Sequence, residues 1–407
     1  MHRSVQRLPR AVWVLVTARA FNRLGAFSLP FLTVLTSDEF GTGAGAAGLV
    51  SAAFGLATIP SRLIGGRLAD RVGRRRTMVL GLTGCALSQA GIAAAGSLAV
   101  VAVCAVLLGL AFELYEPPSQ ALIADSVTSE LRVRAYSLLN AALALGGMGA
   151  GLLAAVLGRW GLRWLFVADA VTCAVCAAMV LAALPADHPA RAAQDTAPGA
   201  SPWRDRALLA MLAFGTAYAV VHMQITMSLP LSMERRGLQA SDAGLLFTAL
   251  ALTTVGAQPL LRVPRVAALP APASLGAGCA LLAVGLSGYA AATGLPGYVA
   301  ATVVCGLGDV LIMGRAFAMV ADLAPAGSTG RYLAAYGISW GIATVAAPLL
   351  GTQLLERAGV ATLWLAMAGA SAAMAATMLA RPRLTSRPPQ PRPEQSGKTA
   401  RVTGGPR

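Results

Sequence analysis

The sequence predicts an all-α membrane protein with twelve transmembrane helices in two pseudo-symmetric six-helix bundles. Of its 407 residues, 56% are hydrophobic and 12% are charged, which is about half the charge of a soluble domain. Apolar runs of about 20 residues, the length that spans a bilayer, fill most of the chain on both sides of a polar central segment. No separate soluble domain fits beside them.

The apolar runs predict the order of spans and connections. The spans cover residues 11–36, 45–66, 77–96, 98–123, 136–158, 164–184, 207–230, 241–261, 270–292, 297–320, 332–355 and 360–380. The bundles, 1–184 and 207–380, are joined by a cytoplasmic linker at 185–206, because that segment is rich in Ala, Pro and charge. The basic, Pro-rich tail at 381–407 has little apolar surface to bury and is predicted to be disordered.

The placement of the positive charges predicts the topology. On these spans, 23 of the 32 Lys and Arg residues fall on one side and five on the other, and four lie within spans. Positive residues concentrate on the cytoplasmic side, so both termini are expected in the cytoplasm of a plasma (inner) membrane protein. The net charge of +15 is thus explained without nucleic acid.

Matching landmarks suggest that the two bundles arose by a parallel duplication. Ala124-Asp125 and the stretch from Trp164 to Ala170 mark the first bundle. Ala321-Asp322 and the stretch from Trp364 to Ala370 mark the second. Repeats of this kind build many transporters.

A basic run at residues 65–76 connects the second and third predicted spans. Its sequence, GGRLADRVGRRR, holds five arginines and one acid between two apolar stretches. An arginine cluster of this kind predicts a tight cytoplasmic hairpin. Gly73 is expected to adopt backbone angles that other residues avoid.

This run resembles the signature loop between helices 2 and 3 of the major facilitator superfamily, written G-x-L-A-D-R-x-G-R-K/R. The matching positions are Gly66, Leu68, Ala69, Asp70, Arg71, Gly73, Arg74 and Arg75. The resemblance implies a secondary transporter that works by alternating access, with a substrate passage lined by helices 1, 4, 7 and 10. It also implies a cytoplasmic latch in which Asp70 and Asp125 share Arg74.

The costly polar residues of the predicted spans fall on those same four helices. Ionisable groups at membrane depth require a partner or a water-filled cavity, so we expect these residues to line the substrate passage or to couple protons. They are Arg19, Arg23, Glu113, Glu116, His222, Asp309 and Arg315.

The first four of these residues lie at similar depth with opposite charge. Arg19 or Arg23 is therefore expected to pair with Glu113 or Glu116 across helices 1 and 4. The pair could be a static ion pair, or its Glu could exchange a proton as substrate arrives, since a partly desolvated carboxylate can titrate near neutral pH.

The second bundle offers further candidates for proton coupling. His222 could respond to pH or could only hydrogen-bond a neighbouring helix. Asp309, near the middle of the tenth span, is the better candidate of the two. Arg315 is expected to neutralise Asp309.

The fourth and fifth spans resemble the multidrug-exporter branch of the superfamily, above all in the segment 115–121, YEPPSQA. This resemblance implies proton-coupled efflux of a small amphipathic compound, with protons and the lipid bilayer as the other partners. Two departures are that Cys104-Ala105 occupy a part of helix 4 where that branch often has Arg, and that Ala150 rather than Pro follows Gly149.

Other functions are weighed against this one. A transporter of the same fold could import a metabolite or organic anion, which the arginines at depth favour. A membrane-embedded enzyme or receptor is less expected, because the sequence has no nucleophile–base pair, metal-ligand cluster or phosphate loop at recognisable spacing. No cofactor or metal is expected, and the chain is expected to function as a monomer.

Overall fold

The computed structural model describes residues 8–26, 28–127, 129–185, 202–325 and 329–380, and all regular elements within them are helical. The α-helices are α1 (Arg10–Gly25), α2 (Leu32–Phe40), α3 (Ala44–Val72), α4 (Arg74–Ala93), α5 (Leu98–Phe112), α6 (Glu116–Asp125), α7 (Ser129–Leu157), α8 (Arg163–Ala183), α9 (Arg206–Met227), α10 (Leu229–Glu234), α11 (Ala243–Gly256), α12 (Pro264–Ala267), α13 (Ala271–Ala291), α14 (Leu295–Leu323) and α15 (Thr329–Ala380). Short 3₁₀ turns lie at Leu29–Phe31, Pro202–Arg204, Ala240–Asp242 and Gln258–Arg262. The predicted all-α class is confirmed.

The described helices agree with a membrane-spanning chain. Seven helical segments are long and apolar enough to cross a bilayer, and two shorter apolar segments lie at Leu98–Phe112 and Ala141–Leu157. Gly359, with φ 82°, interrupts α15 between the eleventh and twelfth predicted spans. The total of twelve stays a prediction. Most of the predicted linker and the whole predicted tail lie outside the described residues.

The helices pack mainly within two halves, and two pairs of helices make most of the contacts between the halves. In the first half α1 packs on α7 and α8, and in the second α13 packs on α14 and α15. Across the boundary α3 contacts α15 and α7 contacts α11. Glycines allow these crossings, because a Cβ atom at Gly55 would lie 2.7 Å from the Thr344 carbonyl oxygen and one at Gly151 would lie 2.5 Å from that of Gly244.

The signature loop is a turn of one residue. α3 ends at Val72 and α4 begins at Arg74, with Gly73 between them at φ 104° and ψ 151°. The Gly73 N–H donates to the Ala69 carbonyl at 3.1 Å, and the Thr77 hydroxyl donates to the Gly73 carbonyl at 2.8 Å. The predicted tight hairpin and the special backbone of Gly73 are confirmed.

Polar contacts join the halves at the end opposite the signature loop, which we call the far end. The Gly45 N–H donates to a Glu356 carboxylate oxygen at 2.9 Å. Glu234, at the end of α10, is hydrogen-bonded to Asp38 of α2. Partial burial, this hydrogen bond and the Asp38 charge raise the pKa of Glu234 from 4.5 to about 8, although Arg235 opposes the shift. Two carboxyl groups hydrogen-bond when one holds a proton, so a protonated Glu234 stabilises the closed far end.

The far-end contact predicts a pH-dependent opening. The stabilisation is complete below the ordinary pKa of 4.5 and is lost as the pH rises through the shifted value of about 8. The variant Glu234→Gln cannot ionise and should stay closed above that pH. Double electron–electron resonance between spin labels at Trp160 and Gln239, one on each half, measures the distance between the halves at the far end.

The matched control for this experiment is Glu39→Gln, because Glu39 pairs with Arg163 of its own half. It should open with pH as the wild type does. Equal opening of Glu234→Gln and the wild type above pH 8 would contradict the role given to Glu234.

Candidate functional site

A break between α5 and α6 brings an acidic group to α1. α5 ends at Phe112 and α6 begins at Glu116, with Pro117 and Pro118 in its first turn. Proline has no N–H to donate and is tolerated there, because the first N–H groups of a helix have no partner within it. The helix is thus interrupted next to the double proline, and Glu116 lies opposite Arg19.

Arg19 is buried, with 8% of its surface exposed, and its guanidinium meets three partners. Nη2 lies 3.2 Å from a Glu116 carboxylate oxygen, and Nη1 donates to the Ser119 hydroxyl at 3.0 Å. Its Cζ lies 5.3 Å from the centre of the Tyr115 ring. One of the Arg–Glu combinations left open by the sequence is thus present, the one between Arg19 and Glu116.

Glu113 has a different position from Glu116. It is buried beside α3, where its main-chain N–H donates to the Ser61 hydroxyl at 3.1 Å. A cavity of about 340 Å³ inside the first half has Glu116 in its wall but not Glu113. Three residues of chain, which correspond to most of a helical turn, separate the two carboxylates.

Arg23 lies between two cavities. It lines the first-half cavity together with Arg19 and Glu116, and it also lines a second cavity of about 250 Å³ between the halves. α7 approaches it closely, since a Cβ atom at Gly146 would lie 2.9 Å from the Arg23 Cβ. The small residues of α7 thus make room for an arginine at this depth.

The second cavity, which we call the central cavity, has a titratable pair in its second-half wall. His222 of α9 and Asp309 of α14 both line it, and His222 Nδ1 lies 3.1 Å from Asp309 Oδ2. This is an ion-pair contact when the imidazole is protonated, rather than an aligned hydrogen bond. The Tyr218 hydroxyl donates to Asp309 Oδ1 at 2.8 Å, and the Trp340 ring packs on His222 at 5.5 Å between centroids.

The expectation that Arg315 neutralises Asp309 is wrong. Arg315 donates instead to main-chain carbonyls of Val266, Ala267 and Leu269, at 3.2 to 3.3 Å. Six residues separate the two positions on α14, and each residue turns a helix by about 100°. The two side chains therefore leave the helix on different faces.

A buried polar cluster that the sequence did not reveal lies on α8. Asp169 accepts from the Ser28 hydroxyl and from Gln89 Nε2, each at 2.6 Å, and lines the first-half cavity. The available signal was one acid inside an apolar span, but the sequence does not say which residues of other helices would meet it. Tyr218 also escaped notice, although it lies four residues before His222 and so shares its helix face.

The predicted latch residues lie at the signature-loop end. Arg71 is exposed in the last turn of α3, and Arg74 is the first residue of α4. Gly66 and Asp70 belong to α3 and Asp125 ends α6, but the side chains of Asp70 and Asp125 lie outside the described part of the structure. The latch stays a prediction.

The contacts of Arg19 predict a stability difference between a buried and an exposed arginine. Arg19→Gln should destabilise the protein by about 1–3 kcal/mol, because the buried Ser119 and Tyr115 lose their partner. Glu116 adds little to this cost, since 46% of its side chain is exposed. Arg159→Gln should cost less than half as much, because 59% of the Arg159 side chain is exposed and surface ion pairs contribute little. Thermal unfolding of the purified variants measures both, and equal losses would contradict the assignment.

Comparison with protein families gives a match across the chain. The model of the Major Facilitator Superfamily matches residues 15–266 and 225–404. The chain is 24% identical over 357 residues to the uncharacterized MFS-type transporter YhjO of Bacillus subtilis (strain 168), covering 84% of this chain and 86% of that protein.

Shorter matches reach higher identity. The uncharacterized MFS-type transporter YqjV of Bacillus subtilis (strain 168) is 35% identical over 135 residues, which is 33% of each protein. The Na(+), Li(+), K(+)/H(+) antiporter of Planococcus maritimus is 35% identical over 129 residues, which is 29% of each. The chain thus spans about a third of the length of these two relatives.

Solved structures resemble the fold over nearly the whole chain. The crystal structure of peptide transporter POT in complex with sulfate has a TM-score of 0.78 and 16% identity, and the match covers 94% of this chain and 96% of that one. An auto-inhibited POT family peptide transporter has a TM-score of 0.77 and 14% identity, with 95% and 99% covered. At these identities the likeness concerns the fold alone.

Proposed function

We propose that this chain, which belongs to the Major Facilitator Superfamily, exports a small amphipathic compound in exchange for protons. Members of this family are secondary transporters, and the helical fold agrees with that class. The observation that carries the proposal is the central cavity, because a His–Asp pair stands in its wall at the boundary between the halves.

The lining of the central cavity supports an amphipathic substrate. Most of its wall is apolar, and the charged and titratable groups are confined to Arg23 on the first half and to His222 and Asp309 on the second. Apolar surface binds such a compound without strict directionality, while a few polar groups orient it. The apolar residues are Ala144, Phe247, Leu250, Ala251, Val255 and Met313.

The His222–Asp309 pair supports proton coupling. A protonated imidazole neutralises the buried Asp309, which is 3% exposed, whereas a neutral imidazole leaves that carboxylate uncompensated. Proton loss therefore changes the charge of the cavity wall that faces the substrate. Similarity to an antiporter whose name specifies proton exchange supports the same coupling.

In an alternating-access transport cycle, the described structure corresponds to one of the states. If the arginine-rich loop and both termini are cytoplasmic, as positive charge indicates, the closed far end faces outward and the described state is closed to the outside. In this proposal the chain works as a monomer in the plasma membrane. Glu234 lies at this outward end, so its protonation from the outer solution favours the described state.

Import of a metabolite or organic anion is the second candidate. Arg23 favours it, because its guanidinium stands in the wall of the central cavity and could bind a carboxylate or phosphate group. The direction of substrate movement separates this candidate from export.

The central pair generates a prediction for transport. Asp309→Asn should lower proton-gradient-driven transport by about tenfold or more, because a charge-assisted contact contributes about 1.5–3 kcal/mol. Arg315→Gln is the matched control on the same helix and should keep most of the activity. A panel of amphipathic fluorescent dyes, measured in proteoliposomes with and without an imposed pH gradient, tests both variants.

The outcomes of the dye experiment are distinct. Gradient-dependent expulsion supports export, and gradient-dependent accumulation of anions supports the importer. Unchanged distribution of every compound would contradict broad export. Glu113→Gln and Glu116→Gln belong in the same series, because an active variant that keeps the wild-type pH dependence would argue against proton transfer by that residue.

The latch generates a second prediction. Asp70 and Asp125 are proposed to share Arg74 when the cytoplasmic side is closed, so Asp70→Asn should slow transport without changing folding or membrane insertion. A latch that stabilises one state shifts the population of states and leaves intrinsic substrate affinity intact. Transport at the wild-type rate by a correctly inserted Asp70→Asn variant would reduce the loop to a topology signal.

A further inference from the structure

Asp169 is a buried carboxylate whose contacts are all neutral. It is 5% exposed, and Oδ2 accepts from the Ser28 hydroxyl and Gln89 Nε2 at 2.6 Å each. The Cys173 thiol lies 3.6 Å from Oδ1. Among the described residues, no Lys, Arg or His forms an ion pair with Asp169.

The arginines of the same cavity have other neighbours. Arg19 is held by Glu116 and Ser119, and the side-chain stem of Arg23 packs against the glycines of α7. An ionised carboxylate in an apolar span costs several kcal/mol unless a cation compensates it. Asp169 therefore meets the condition for a neutral, protonated side chain in this state.

Asp169 is accessible from a cavity, and movement of α1 would change its surroundings. It lines the first-half cavity, whose wall includes Arg23, and Arg23 also reaches the cavity between the halves. α1 ends at Gly25, and a 3₁₀ turn begins at Leu29 beside the same cluster. A Cβ atom at Gly25 would lie 2.8 Å from Asp169 Oδ1, so any shift of α1 changes the surroundings of this carboxyl group.

We propose that Asp169 is a proton-binding site of the first half, distinct from the His222–Asp309 pair. In the described state the carboxyl group holds the proton, while its Oδ2 accepts from Ser28 and Gln89. The proton comes from water in the first-half cavity and returns to that water when α1 moves and a cation approaches the carboxylate. Only the step that links this proton to substrate movement rests on the proposed function.

Titratable and charged groups on each neighbouring element face the same cavity and would influence this exchange. α1 contributes two arginines, α4 and α8 contribute thiols, and the segment that opens α6 contributes a phenol and a carboxyl group. They are Arg19, Arg23, Cys85, Tyr115, Glu116 and Cys173.

Infrared spectroscopy of the full chain in lipid nanodiscs tests the assignment without any substrate. A neutral carboxyl group gives a C=O stretching band that an ionised group lacks. Because Glu234 also holds a proton at neutral pH, the measurement is made in the Glu234→Gln background, which should still show such a band. Adding Asp169→Asn should remove it, because the amide cannot hold a titratable proton. Asp322→Asn, a change at an exposed acid of α14, is the control and should keep it.

Two results would overturn the proposal. One is a band of unchanged intensity in a folded Asp169→Asn protein. The other is that Asp169 of the wild type is ionised at neutral pH and becomes more ordered when Na⁺ or Li⁺ is added. That result would make the cluster a metal-cation site.

A second measurement on the wild type covers the case in which Asp169→Asn fails to fold. Dicyclohexylcarbodiimide modifies protonated carboxyl groups in apolar surroundings, and peptide mass spectrometry should find the adduct at Asp169 and not at Asp322. An unmodified Asp169 beside a modified Glu116, in the same cavity, would overturn the proposal. If both measurements support a protonated Asp169 but the wild type exports no dye, only the proposed function is contradicted.

Discussion

Neutralisation of charge inside an apolar helical bundle is the constraint on which the rest of this structure depends. A charged side chain at membrane depth costs several kcal/mol unless it meets a partner or water. Arg19 satisfies this condition through Glu116 in the first half, and Asp309 does so through His222 in the second. Asp169 has neutral partners, which is why we assign it a proton. The same requirement therefore accounts for the Arg19–Glu116 pair, the His222–Asp309 pair and the proposed proton-binding site at Asp169.

The helices are interrupted where these groups meet. α1 ends at Gly25 next to Asp169, and the break between α5 and α6 brings Glu116 to Arg19. Non-helical backbone at membrane depth is tolerated where it is enclosed by protein or lines a cavity, and the first-half cavity supplies that setting. Discontinuous helices place their ends and polar side chains at binding sites in other transporters too. The breaks are thus part of the candidate site, whereas the continuous helices support it.

Arg23 connects the two cavities and so connects the proposed proton sites. Substrate in the central cavity would contact Arg23 directly, and a displaced guanidinium would alter the electrostatic potential at Asp169 and Glu116 on the other side. Proton binding in the first half and substrate binding between the halves then influence each other in both directions, as linkage requires. Glu234 at the far end adds a proton-dependent contact between the halves.

The sequence by itself determined the all-α membrane class, the tight hairpin at Gly73 and which helices carry buried charge, because apolar length, glycine and charge placement are local properties of the chain. Only the tertiary structure decided the partners. Whether Arg19 meets Glu113 or Glu116, and whether Asp309 meets His222 or Arg315, depends on helix rotation of about 100° per residue and on the breaks. Asp169 went unrecognised for the same reason, since its donors come from two other helices.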